Sequence, residues 1–214
     1  MKESYSTFTD KMRIVFKSFG EKCAAFLLKI GLSANAVTLI GCAGHIIAAI
    51  LIAKGHFTSA GILLIFFAVT DFFDGTMSRM KTGGKGTKFG AVLDSTTDRY
   101  AEFIVFAGFV YYYAAAGDFL TMTVSYAAIM GAILVSYTRA KGEIEGLNMR
   151  LGLMSRLERY LLLVPSLLIG YPAIAAWGIA LGSHFTAIQR IWYMRQQLKI
   201  KAAESAEEPK ENAN

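Results

Sequence analysis

The sequence predicts an all-α protein: an integral membrane bundle of six transmembrane helices with an N-terminal amphipathic helix lying in the interface. Three observations carry that expectation. The 214 residues are 54% hydrophobic, with a mean hydropathy of +0.42, which is too apolar for an ordinary soluble domain. Apolar stretches of helical length recur at Val37 to Ala53, Ala60 to Phe73, Ala101 to Ala116, Phe119 to Val135, Leu157 to Ile169 and Ala173 to Ile188. Several reach the roughly 20 residues needed to cross hydrocarbon only with their polar flanks. Finally, four basic blocks, Lys2 to Lys29, Arg79 to Arg99, Arg139 to Arg159 and Arg190 to Lys210, hold every lysine and arginine except Lys54, and they fall at alternate ends of the apolar runs.

In chain order, residues 1–32 interleave Phe8, Ile14, Val15, Phe16, Phe19 and Phe26 with Lys11, Arg13, Lys17 and Lys22, the pattern of a cytoplasmic helix at the membrane surface. Charges alternate there instead of flanking one apolar core, so no cleavable signal is expected. Residues 33–198 form the six-span domain. Thr82 to Gly86, the one glycine-rich stretch, makes a compact turn between the second and third spans. Pro165 falls inside the fifth span, where it can kink the helix, and Pro172 suits the start of the sixth. Residues 199–214, polar and acidic with one proline, read as a disordered cytoplasmic tail. Lysine and arginine are retained on the cytoplasmic side, so both termini and the Arg79 to Arg99 loop are expected there, in a multi-pass protein of the cell membrane. The net charge of +6 then reports topology and attraction to anionic lipid rather than nucleic-acid binding. Cys23 and Cys42 show no paired spacing, and neither a disulfide nor a metal is assigned to them.

Four aspartates stand where such a protein least tolerates them. Asp71 and Asp74 close the second apolar run, and Asp94 and Asp98 open the third. Each carboxylate costs about 2.5–3.5 kcal/mol at a helix centre in hydrocarbon, so the four must face a wet cavity that holds cations. Spacings of three and four residues put each pair on one helix face. A short turn makes the two helices antiparallel neighbours, which lets the pairs converge. Oxygen ligands without histidine or cysteine suit Mg²⁺ or Mn²⁺. Gly75 and Gly90 clear the same faces for close approach. Arg79, with Lys81, Lys85 and Lys88 in the loop, adds the cations a polyphosphate requires.

The series Asp71, Asp74-Gly75, Ser78-Arg79, Gly90, Asp94, Asp98 resembles the signature of the CDP-alcohol phosphotransferase family. Ser78 stands where the family usually has alanine, and the spacer before Gly90 is slightly longer than its commonest form. The resemblance implies six spans, a homodimer, and transfer of a phosphatidyl-type group from a CDP-linked lipid to an alcohol with release of CMP. It implies that Asp71, Asp74, Asp94 and Asp98 bind two divalent ions and that Asp98 is also the base for the acceptor hydroxyl. It further implies that Asp71, Gly75, Arg79 and Lys85 contact the cytidine diphosphate. Asn35 and Thr38, in SANAVT, resemble the nucleotide-contacting start of the first span, although Asn35 fits a helix cap equally well.

Arg139, Arg156, Arg159 and Arg190 sit at span ends on the aspartate side. The rule that keeps basic residues inside accounts for some of them, but a phosphorylated acceptor needs several such cations. The stretches SYTRAKGE, SRLER and IQR resemble prokaryotic phosphatidylinositol-phosphate synthases, which join inositol phosphate to CDP-diacylglycerol. Arg139 replaces a frequent lysine there, and Leu157 a common proline. Inositol 1-phosphate is therefore the expected acceptor, with glycerol 3-phosphate, as in a phosphatidylglycerol-phosphate synthase, the alternative. A small divalent-cation transporter is the rival from another class, since it too could place aspartates around a metal. His45, His56 and His184 are isolated in sequence and read as satisfied or interfacial side chains.

Overall fold

A computed structural model of the protein describes residues 20–207, apart from the side chains of residues 69–72 and 204–207. Most of the expected interfacial helix, residues 1–19, lies outside the described residues, as does the Asp71 side chain. Among the described residues the chain is wholly helical, without strands. The helices are α1 (20–29), α2 (Ala34–Ala53), α3 (Phe57–Lys81), α4 (Lys88–Ala115), α5 (Phe119–Ile144), α6 (Arg156–Leu168) and α7 (Pro172–Glu207). Each of the six expected apolar runs falls in one of α2 to α7. Among the described residues three helices, α2, α3 and α5, are both long and apolar enough to cross a membrane. Helix α6 has 13 residues, about 20 Å at 1.5 Å per residue, short of the ~30 Å of a hydrocarbon core. Helix α4 carries Asp94, Asp98 and Arg99 in its first half and Glu102 just beyond it.

Helix starts follow local chemistry. Ser33 Oγ accepts from Ala36 N at 3.2 Å, Thr87 Oγ1 from Gly90 N at 3.0 Å, and Asp118 Oδ1 from Thr121 N at 2.9 Å, each satisfying an N–H that an open helix end leaves unpaired. The Thr121 bonds hold the Asp118 carboxyl below its ordinary pKa. Pro172 opens α7, where its missing N–H costs nothing. Pro165 sits in the last turn of α6. Helix α7 continues through Glu207, so residues 199–207 are helical where a disordered tail was expected. Lys199, Lys201, Ala202 and Ala203 favour helix, no breaker precedes Pro209, and Lys201 Nζ donates to Glu145 O at 2.7 Å.

The chain forms two compact units, with α2, α3 and α4 each contributing to both. The first comprises Met1–Ile50 and Ile62–Val105. Its apolar centre next to the acidic turns is Ala24, Val37 and Met77, flanked by Leu27, Leu28, Leu32 and Ala34. Helix α1 thus packs onto α2 and α3 through Ala24, which is fully buried. Farther along, the Phe67 ring presses on Gly44 and lies 6.1 Å from the His45 ring. Buried His45 shares a 2.7 Å hydrogen bond with Gly41 O through Nδ1, the satisfied role its sequence isolation suggests. The α3–α4 turn takes positive φ at Gly83, Gly84 and Gly86, which side chains with a β-carbon resist. Thr82 staples it: Oγ1 donates to Ser78 O at 2.8 Å and accepts from Gly86 N at 2.7 Å.

The second unit comprises Leu51–Gly61 and Phe106–Asn214. Here α5 and α7 touch through small residues: a β-carbon on Gly131 would lie 2.9 Å from Ser183 Cβ. His184 Nε2 bonds Ala127 O at 3.0 Å across the same seam. The segment between α5 and α6 is anchored to α7. Met154 N donates to Thr186 Oγ1 at 3.1 Å, and Met149, 1% exposed, fills the space that Gly142 leaves.

Candidate active site

In the first unit a pocket of about 310 Å³ opens between α2, the end of α3, the glycine turn and the start of α4. Its wall includes Asn35 and Thr38 from α2, and Asp74, Gly75, Ser78 and Arg79 from α3. Lys85, Gly86 and Thr87 come from the turn, and Gly90 and Asp94 from α4. Seven residues expected to act together, Asn35, Thr38, Asp74, Gly75, Arg79, Lys85 and Asp94, therefore line one cavity. One member of each acidic pair, Asp74 from the end of α3 and Asp94 from the start of α4, is present in that wall. Asp98, one turn farther along α4, is half-buried and is not part of this wall.

Asp74 is 5% exposed. Thr38 Oγ1 donates to its Oδ2 at 2.5 Å, a length typical of a hydroxyl bonded to a charged carboxylate. Arg79, exposed at the rim, donates from Nη2 to Thr76 Oγ1 at 3.1 Å. A β-carbon on Gly75 would lie 3.4 Å from Arg79 Nη1, so the bare glycine leaves the guanidinium room to reach a ligand. Around Gly90 three polar groups gather: its missing β-carbon would stand 2.7 Å from Thr87 Oγ1, 3.8 Å from Asn35 Oδ1 and 3.9 Å from Ser78 Oγ. Sequence reasoning assigned no site role to Thr87 or Ser78. The signal for Thr87 was its place just before a helix, where a capping hydroxyl keeps its own proton for a ligand.

Among the described residues no three His, Cys, Asp or Glu side chains gather closely enough to hold an ion, and the Asp71 carboxylate lies outside those residues. The donors present, carboxylates with hydroxyl and amide oxygens, still fit a hard divalent cation such as Mg²⁺ or Mn²⁺.

The second unit holds all four expected acceptor arginines, and the charges of Arg139 and Arg159 are felt at Arg190. Arg190, 3% exposed, donates from Nε to Leu151 O at 2.9 Å and from Nη1 to Val135 O. Arg190 lies beyond the apolar part of α7. Burial, and then the charges of Arg139 and Arg159, lower its pKa, against the pull of Glu143 and Glu158. Arg159, equally buried, donates from Nη1 to Met154 O at 2.8 Å. Arg139 is exposed and paired with Glu143 at 2.8 Å. Arg156 lies over the Tyr160 ring, 5.6 Å from its centroid. Of these, Arg159 and Arg190 are the buried guanidinia, and Glu143 and Glu158 offset part of the repulsion at Arg190.

Residues 32–192 match the profile of the CDP-alcohol phosphatidyltransferases. The chain belongs to that family. A phosphatidylinositol phosphate synthase of Streptomyces avermitilis is 37% identical over 201 residues, 86% of this chain and 81% of that one. Two crystal structures of the Mycobacterium tuberculosis phosphatidylinositol phosphate synthase are similar in fold, each with a TM-score of 0.76. The one with CDP-DAG bound is 27% identical and covers 82% of this chain and 92% of its own. The other, in complex with manganese and citrate, is 28% identical and covers 82% of this chain and 88% of its own. As a CDP-alcohol phosphatidyltransferase the chain is a transferase of phospholipid biosynthesis, and its apolar helices are those of a membrane protein.

Proposed function

We propose that the protein is a phosphatidylinositol phosphate synthase. It transfers the phosphatidyl group of CDP-diacylglycerol, or a related CDP-linked lipid, to the hydroxyl of inositol 1-phosphate, releasing CMP. The observation that carries this reading is the first-unit pocket, where Asp74 and Asp94 share one wall with Arg79 and Lys85. Carboxylates and cations together are what a metal-bound diphosphate needs. The manganese complex and the CDP-DAG complex of the similar synthase support the same chemistry.

In this reading Asp71, Asp74, Asp94 and Asp98 would hold two Mg²⁺ or Mn²⁺ ions, which when bound neutralise the charge on the diphosphate. Arg79 and Lys85 bind the nonbridging phosphate oxygens, and Gly75 lets the chain approach them. Asn35 and Thr38 stand at the nucleotide end. Asp98 takes the proton of the acceptor hydroxyl as its oxygen attacks the lipid-side phosphorus; the bond from that phosphorus to the bridging oxygen breaks, and CMP carries the electron pair away. Arg139, Arg156, Arg159 and Arg190 receive the acceptor's phosphate. Arginine has five N–H donors, and Arg190 commits two to Leu151 and Val135, so donors remain for an anion. The bundle spans the cell membrane six times as a homodimer, α6 crossing only together with its flanking segments, with termini and active site on the cytoplasmic side, where soluble inositol phosphate is available.

The test is CMP release by purified protein given CDP-diacylglycerol and Mg²⁺. Inositol 1-phosphate should support turnover. Release with glycerol 3-phosphate alone would reassign the enzyme as a phosphatidylglycerol-phosphate synthase.

A further inference from the structure

Thr38 stands on the pocket wall, where it could touch a nucleotide, yet its hydroxyl is already engaged. Oγ1 lies 2.5 Å from Asp74 Oδ2 and 3.1 Å from Ala34 O. A threonine hydroxyl has one proton, and the shorter, charged acceptor takes it. Both partners are buried, Thr38 at 8% and Asp74 at 5% exposure, so water does not compete well for the bond. The adjoining residues hold the pair in register: Val37, beside Thr38 on α2, and Met77, one turn after Asp74 on α3, pack together with Ala24 of α1. The branched Cβ of threonine further restricts the hydroxyl to few rotamers.

We propose that Thr38 is a positioning residue: by donating to Oδ2 it fixes the orientation of the Asp74 carboxylate for the divalent ion, and it does not act by binding the nucleotide. Each carboxylate oxygen offers two lone-pair directions, so the bond to Thr38 orients Asp74 without using up its capacity for a cation. The inference rests on the reading of Asp74 as an ion ligand. Partners of this kind around ligating carboxylates typically change metal affinity about ten- to a hundredfold.

The experiment is titration of detergent-purified full-length protein with Mn²⁺, without nucleotide, following free Mn²⁺ by electron paramagnetic resonance. Thr38→Val keeps the side-chain shape and removes the donor; it should weaken Mn²⁺ binding about tenfold or more. Thr38→Ser, which restores the hydroxyl, should return affinity to within a few-fold. In steady state Thr38→Val should raise the Mg²⁺ concentration for half-maximal activity while leaving KM for CDP-diacylglycerol at saturating Mg²⁺ unchanged. If Thr38→Val does not fold, Thr38→Ala carries the same expectation. Unchanged Mn²⁺ affinity with a raised donor KM would overturn the proposal in favour of a nucleotide contact. Asp74→Asn separates the two levels. If Asp74→Asn abolishes tight Mn²⁺ binding and Thr38→Val does not, only the positioning role fails. If Asp74→Asn binds Mn²⁺ normally, the ion-ligand reading of Asp74 fails and the role of Thr38 with it.

Discussion

Asp98→Asn should lower kcat by about 10²–10⁴, the usual contribution of a positioned general base, while CDP-diacylglycerol still binds. Asparagine keeps the size and most hydrogen-bonding geometry of aspartate but cannot accept a proton from an attacking hydroxyl. Asp98 lies four residues after Asp94 on α4, hence on the same helix face, and outside the wall that lines the pocket. That placement suits a group that would work on the acceptor rather than on a donor bound in the pocket. Donor binding by isothermal titration and CMP release in steady state together check the expectation. Equal loss of both would show that Asp98 supports the ion site and contributes nothing separable as a base.

Arg190→Lys should raise KM for inositol 1-phosphate about ten- to a hundredfold with little change in KM for the lipid donor. Lysine retains the charge but not the planar fork. In the wild type that fork reaches two backbone carbonyls on different segments, Leu151 and Val135, from a side chain 3% exposed. One hydrogen bond from a charged donor is worth about 1.5–3 kcal/mol, and each 1.4 kcal/mol is a factor of ten in affinity. The segment before α6 also hangs on Arg159 through Met154 O, so Arg190→Lys should shift that segment and leave the remaining fold in place. An unchanged acceptor KM would mean that Arg190 serves only the backbone it holds.

The helical class and the grouping of Asp74 with Asp94 were legible because their signals are local. Asp71, Asp74, Asp94 and Asp98 are conspicuous in an apolar background, and three- and four-residue spacings fix a helix face whatever packs around it. The convergence of Asp74 with Asp94 followed from the short glycine turn, and the pocket bears it out. The partner of Asp74 was not legible, since Thr38 is 36 residues away and only the packing of α2 on α3 brings them together. Likewise nothing local marks Arg159 and Arg190 as buried and bonded to carbonyls; as sequence they look like ordinary basic residues at span ends. The end of α7 was misplaced for another reason. Polar composition suggested disorder from Lys199 onward, but alanine, lysine and glutamate are also good helix formers, and Lys201 ties the helix to Glu145 O.

Anomalous diffraction from crystals grown with Mn²⁺ would test directly whether the acidic turns of α3 and α4 receive divalent ions. A peak between the Asp74 and Asp94 carboxylates, with Asp71 and Asp98 completing the ligands, is the expected result. Manganese density elsewhere in the bundle, or those carboxylates directed away from one another, would contradict it.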